Sequence, residues 1–286
     1  MDLDRTLCYL RKNTASLTIL HLNQKGLSDN RHVEQLASAL EHNTHVVIFF
    51  GSGNGITGGT GGATALARAF MHHGTLRQVG LSYNRLGPDG ARALAAALGA
   101  TSTNRLQVLQ LSHNAIGDSG AVALAQALRH NVFLRKLELE DNEIAETGLT
   151  ALAMALKENT KLTSLHLRGN SVTTQVQQVF FDVLQNDNQT LCTLELLSSE
   201  QQQHQDGKND TGSLLSYDIN FYLEWNRNGR QAFCSRQEIT PEEWIHILEQ
   251  LSATTSSGGV TAQAHSMVHA MIQARPDLFL SGVMKG

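Results

Sequence analysis

The chain has 286 residues and a formal net charge of −4, so it carries no electrostatic footprint for nucleic acid or for an anionic membrane surface. Its three cysteines, Cys8, Cys192 and Cys234, are odd in number and far apart, which excludes a disulfide framework and a metal-ligand spacing. The opening MDLDRTLCYLRKN is charged and no run approaches the roughly 18 apolar residues of a membrane span, so the expectation is a soluble, cytoplasmic protein with reduced thiols.

The first predicted element is a helical half-unit, Leu7 to Asn13, serving as a cap over residues 1–16. A strand signal then recurs, with first positions at Leu17, Val46, Leu76, Leu106, Leu134, Leu162 and Leu191, always 28 to 30 residues apart. Leu106, Leu109, Leu111, Asn114 and Ile116 return as Leu134, Leu137, Leu139, Asn142 and Ile144, and again as Leu162, Leu165, Leu167, Asn170 and Val172. A fixed period of this length means one supersecondary unit stacked on copies of itself.

Within each unit the L-x-L alternation is the period-2 mark of a strand buried on one face. The asparagine that follows (Asn54, Asn84, Asn114, Asn142, Asn170) turns the chain, with a buried amide able to reach backbone groups of its own and neighbouring coils. A helix comes next, as in GARALAAAL and GAVALAQAL, where Leu94/Leu98, Leu124/Leu128 and Leu152/Leu156 share one face at i and i+4. Gly90, Gly120 and Gly148 open these helices where a small residue permits close packing, and Asn13, Asn43, Asn131 and Asn159 read as left-handed helix terminators. Two positions depart from the pattern. Lys25 replaces the first turn asparagine, and Gly51 replaces a core leucine, leaving a gap unless Phe49 or a neighbouring coil fills it.

The second unit holds VVIFFGSGNGITGG, in which Gly53, Gly55 and Gly58 satisfy G-x-G-x-x-G, a dinucleotide-binding fingerprint. No Asp or Glu lies between Glu41 and Asp89 to hold a ribose, and no lysine lies there to serve a phosphate loop. The glycines from Gly58 to Gly62 therefore read as a flexible two-residue insertion between strand and helix, and no cofactor is expected.

These units resemble leucine-rich repeats of the ribonuclease-inhibitor-like class, LxxLxLxxNxIxxxGxxALAxAL, from about Leu7 to Leu196. The resemblance implies an α/β fold: a right-handed solenoid over residues 17–197, of six to seven repeats, with a parallel sheet on the concave side and helices on the convex side. Beyond it, 198–213 is a polar linker and 214–286 a helical cap or tail. There Phe221, Trp225 and Trp244 are the packing residues expected to cover the last repeat, and Thr240-Pro241-Glu242-Glu243 starts a helix. His265 and His269 stand at i and i+4 without a third ligand, so no metal is expected.

Residues flanking the strand leucines must face away from the core. In the first four units these include Ile19, His21, Ile48, Phe50, Gln78, Tyr83, Val108, Gln110 and His113, which are apolar, aromatic or uncharged. In the last three they include Lys136, Glu138, Glu140, Asp141, His166, Arg168 and Glu195, charged and mostly acidic. With no catalytic set in view, the expected function is a non-catalytic scaffold that binds a protein partner carrying a basic patch, with no nucleic acid, membrane or small-molecule substrate. The resemblance also leaves room for an activator of a small GTPase, as the Ran GTPase-activating proteins are, or for an inhibitor of a basic enzyme such as a ribonuclease.

Overall fold

A computed structural model describes residues 3–59, 61–99, 104–196, 219–220 and 222–227. It opens with α1 (Leu3–Arg11) and then alternates seven short strands with six helices: β1 (Ile19–His21), α2 (Asn30–Glu41), β2 (Ile48–Phe50), α3 (Gly62–His72), β3 (Gln78–Gly80), α4 (Gly87–Gly99), β4 (Val108–Gln110), α5 (Gly117–His130), β5 (Lys136–Glu138), α6 (Glu146–Ala155), β6 (Ser164–His166), α7 (Thr174–Asn186) and β7 (Thr193–Glu195). All strands are parallel and lie in chain order, β1 to β7, in one sheet. The sheet is the concave wall of the solenoid and the helices are its convex wall.

Register makes the core. Leu20, Phe49, Val79, Leu109, Leu137, Leu165 and Leu194 pair in a single inward row, and all are buried. Leu94, Leu98, Leu124, Leu128, Leu152 and Leu156 close against them from the helices. The place of the missing leucine at Gly51 is taken by the Phe49 ring, which a Cβ there would meet at 2.8 Å. Phe49 in turn lies against Phe70, ring centres 5.5 Å apart.

The turn asparagines are buried, and each bonds across a coil boundary. Asn84 Oδ1 accepts from the Asn54 and Ile56 amides at 3.0 Å, while its Nδ2 donates to the Gly51 and Leu81 carbonyls. Asn142 repeats this with Asn114 N, Leu111 O and Glu140 O. Lys25, at the asparagine position of the first coil, has an exposed side chain. Its backbone amide donates to Asn54 Oδ1 at 2.7 Å.

A second ladder runs along the helix ends, and here the expectation needs correction. Asn13 does take the left-handed conformation, φ 47°. Asn43, Asn131 and Asn159 do not; Asn131 is extended at φ −75°, ψ 125°. Their buried amides work as bridges instead. Asn159 Oδ1 accepts from Lys161 and Leu162, and Nδ2 donates to Leu128 O and Asn131 O of the coil before. Asn104 and Asn188 join this row. So does Asn226, whose Nδ2 donates to Asn188 O and Leu191 O.

Asn226 belongs to a helical stretch, residues 219–220 and 222–227, which lies against the last coil. Ile219, Tyr222, Leu223 and Trp225 are buried there, and Tyr222 meets Phe181 edge-on at 5.8 Å. The other expected packing residues, Phe221 and Trp244, lie outside the described residues, as do the linker at 198–213, the Thr240 helix start and the His265/His269 pair. Among the described residues, no helix is long and apolar enough to cross a membrane.

The glycine-rich connection is packed rather than loose. A Cβ on Gly58 would clash with the Leu86 carbonyl and the Gly90 amide of the next coil, and one on Gly62 with the Val33 side chain. Gly53 and Gly55, both at φ 70°, supply the turn itself. Helix starts are also tied across coils, since Asn30 Oδ1 accepts from Gly62 N and Asp118 Oδ1 from Ala145 N and Gly148 N.

His73 takes the place of an asparagine in the second ladder. Its Nδ1 accepts from Leu76 N at 3.2 Å, and its Nε2 has no partner among the described residues. Burial, with a smaller contribution from the Arg77 charge, lowers its pKa from 6.5 to about 4.

Two predictions follow from the ladders. Replacing Asn142 with Leu strands backbone groups in two coils and should lower unfolding stability by about 3 kcal/mol, whereas Lys25→Ala should change it by no more than about 0.5 kcal/mol, both read by urea denaturation. The unfolded chain binds the proton that folded His73 refuses, so stability falls as pH drops from 6.5 through about 4. That loss should total about 3 kcal/mol, and His73→Asn should remove it from the difference between denaturation curves at pH 7 and pH 4.

Candidate binding face

Because each strand is three residues long and pairs in register, side chains that point away from the core fall into straight rows across the sheet. One row is His21, Phe50, Gly80, Gln110, Glu138, His166 and Glu195; the next is Ile19, Ile48, Gln78, Val108, Lys136, Ser164 and Thr193. A third row lies at the turn, where the residue before each ladder asparagine, or before Lys25 in the first coil, has positive φ: Gln24, Gly53, Tyr83, His113, Asp141 and Gly169. The residues expected on the concave face thus lie together on one continuous surface. Ile48, Phe50, Gln110, Lys136, Glu138, His166 and Glu195 come from the strands, Glu140 and Arg168 from just beyond them, and Tyr83, His113 and Asp141 from the turn row.

The apolar end is only partly open. Phe50 is half-buried, stacked on His21 with ring centres 5.2 Å apart. Its edge lies over Gly80, where a Cβ would meet it at 3.0 Å. Ile19 is 43% exposed and Tyr83 62%. Beside β1, one edge strand of the sheet, Thr6, Ile19, Leu20, His21, Asn23 and Lys25 line a cavity of about 380 Å³.

The charged end is less acidic than its composition suggests, because cations sit among the carboxylates. Lys136 Nζ pairs with Glu138 at 2.8 Å, and Gln110 Nε2 donates to the same carboxylate at 3.0 Å. Glu195 Oε2 holds both Arg168 Nε, at 3.2 Å, and His166 Nδ1, at 3.0 Å. The other His166 nitrogen meets Ser164 Oγ at 2.9 Å. Glu140 is different. Its carboxylate has the Ser112 hydroxyl at 3.5 Å, and no cation pairs with it among the described residues.

Glu140, His166 and Glu195 bring one ligand atom each to within 4.8 Å of the others, the closest approach here to a metal set. Glu195 Oε2 already holds Arg168 Nε and His166 Nδ1. Within this cluster His166 and Glu195 are tied to each other, and Glu195 to Arg168, while Glu140 has no cation partner among the described residues.

Reading outward positions found most of the two strand rows and half of the third, namely Tyr83, His113 and Asp141. What it missed is how the side chains lean on each other from coil to coil, which spacing alone does not encode. The available signals were the glycines in the rows, Gly80 beside Phe50 and Gly169 beside Asp141.

A family model described as "Leucine Rich repeat" matches residues 72–95, 104–125, 130–153 and 158–175. No curated protein matches the chain. Among solved structures, it is similar to actin-binding site 2 of leiomodin-1, at 16% identity and TM-score 0.36, over 81% of this chain and 95% of that one. It is also similar to the tropomodulin C-terminal domain of Caenorhabditis elegans, at 12% identity and TM-score 0.39, over 81% of this chain and 97% of that one. Seven parallel strands in chain order, an asparagine at five of the turns and the match to that model over residues 72–175 give this chain the fold of a leucine-rich repeat solenoid.

Proposed function

We propose that the protein is a non-catalytic scaffold that grips a protein partner on the concave sheet. The observation that carries this reading is the ordered division of that face. Ile19, Phe50 and Tyr83 offer aromatic and aliphatic contact at one end, and a hydrogen-bonded field around Glu138, Glu140 and Glu195 lies at the other. Large side chains held in place lose little freedom on binding, and charges beside them set orientation and encounter rate. Ile48, Gln110, His113, Lys136, Asp141, His166 and Arg168 complete the proposed contact surface. The charge left unbalanced at Glu140 favours a partner with a basic patch.

The test is quantitative capture with the full chain as bait, comparing wild type, Phe50→Ala, the double variant Glu138→Lys/Glu140→Lys, and Gln126→Lys on the exposed side of α5. A partner retained by wild type and by Gln126→Lys should be lost about tenfold or more in both face variants, and its retention should fall with salt. Equal recovery by all four proteins contradicts the reading.

A further inference from the structure

The turn row contains a coordinated stack. The position before each ladder asparagine needs the left-handed backbone, which glycine adopts freely and bulky residues adopt at a cost. Gly53 and Gly169 meet that need at φ 70° and 72°. Three consecutive coils between them carry Tyr83, His113 and Asp141 instead, at φ 58°, 58° and 50°.

These three lean the same way. The Asp141 carboxylate fills the space a side chain on Gly169 would need. It also faces His113 Nε2 at 3.3 Å. The His113 ring lies parallel on Tyr83, with centres 4.1 Å apart and planes at 16°. Tyr83 is therefore held from one side only, and it remains 62% exposed. On its other side the next position is Gly53, which has no side chain, with Gln24 resting above it. An aromatic ring has been fixed by its neighbours with one face left open.

We propose that the open face of Tyr83 is the seat for an arginine side chain of the protein partner. The proposal rests on the concave-face reading and names the chemistry of its anchor. A guanidinium is planar, stacks on aromatic faces and is weakly hydrated, whereas a lysine ammonium is a compact, strongly hydrated charge. The surroundings favour a cation. Asp141 stands behind the stack, and Glu140, beside it in sequence, has the Ser112 hydroxyl near it and no cation partner among the described residues, while Glu138 and Glu195 already hold Lys136 and Arg168. A nucleobase could stack equally well, but its phosphates would meet these carboxylates.

The test titrates the full chain with two synthetic peptides of equal length and charge, alternating Gly-Arg and Gly-Lys, and with an oligothymidylate of the same length. Binding is read by calorimetry and by the ring resonances of Tyr83 and His113. The arginine peptide should bind about 3- to 10-fold more tightly than the lysine peptide. Tyr83→Phe should keep this preference. Tyr83→Asn, whose short side chain tolerates the left-handed turn, should abolish it, with the melting temperature checked for each variant.

No preference for arginine, or one that survives Tyr83→Asn, overturns the seat. Tighter binding of the oligothymidylate through Tyr83 overturns it in favour of a base. If Glu140→Lys weakens both peptides while Tyr83→Asn changes nothing, the concave face still binds and only the arginine seat falls. If neither variant matters, both readings fall together.

Discussion

The primary amide of asparagine is the interaction on which this molecule rests. A coil of a solenoid turns sharply at both ends of its strand, and each turn exposes backbone N–H and C=O groups to the interior. One buried asparagine side chain has an acceptor and two donors, enough to satisfy amides in one coil and carbonyls in another. The structure uses this device twice, once where strand passes to helix and once where helix returns to strand. Coils are thereby locked in register as well as held by apolar contact, which by itself is not directional.

Function inherits that register. When strands of three residues pair without slippage, each outward position becomes a row, and side chains in one row meet at the strand spacing of about 4.8 Å. That distance suits stacked rings and hydrogen-bonded carboxylates, and the face contains both: Tyr83 on His113, His21 on Phe50, Gln110 against Glu138. Small residues then decide direction. Gly80 gives Phe50 room and Gly169 gives Asp141 room, so in these two rows a side chain leans to where another is missing.

The architecture and the outward rows were legible in the sequence, because the period of 28 to 30 residues and the strand alternation are independent signals that agree. The turn asparagines followed from their fixed place in that period. Of the helix-end asparagines, Asn13 was read correctly and Asn43, Asn131 and Asn159 were misread, since an asparagine after a helix has two uses and periodicity does not choose between them. Burial chose: Asn131 and Asn159 are inside, where an amide must find partners. The glycines of the second unit were read as slack, yet Gly58 is where two backbones touch. The acidic end was overestimated for a similar reason. A count of charges does not show that Lys136 and Arg168 reach into the carboxylates beside them.

Native-state hydrogen exchange tests the central claim most directly. The amides of Ile56, Leu86 and Ile144 donate to asparagine side chains one coil away. They should exchange only when adjacent coils open together, with protection close to that of the strand amides themselves. Exchange of these turn amides at the rate of exposed loops, while the strands stay protected, would mean that apolar packing alone holds the coils and that the asparagine ladders do not.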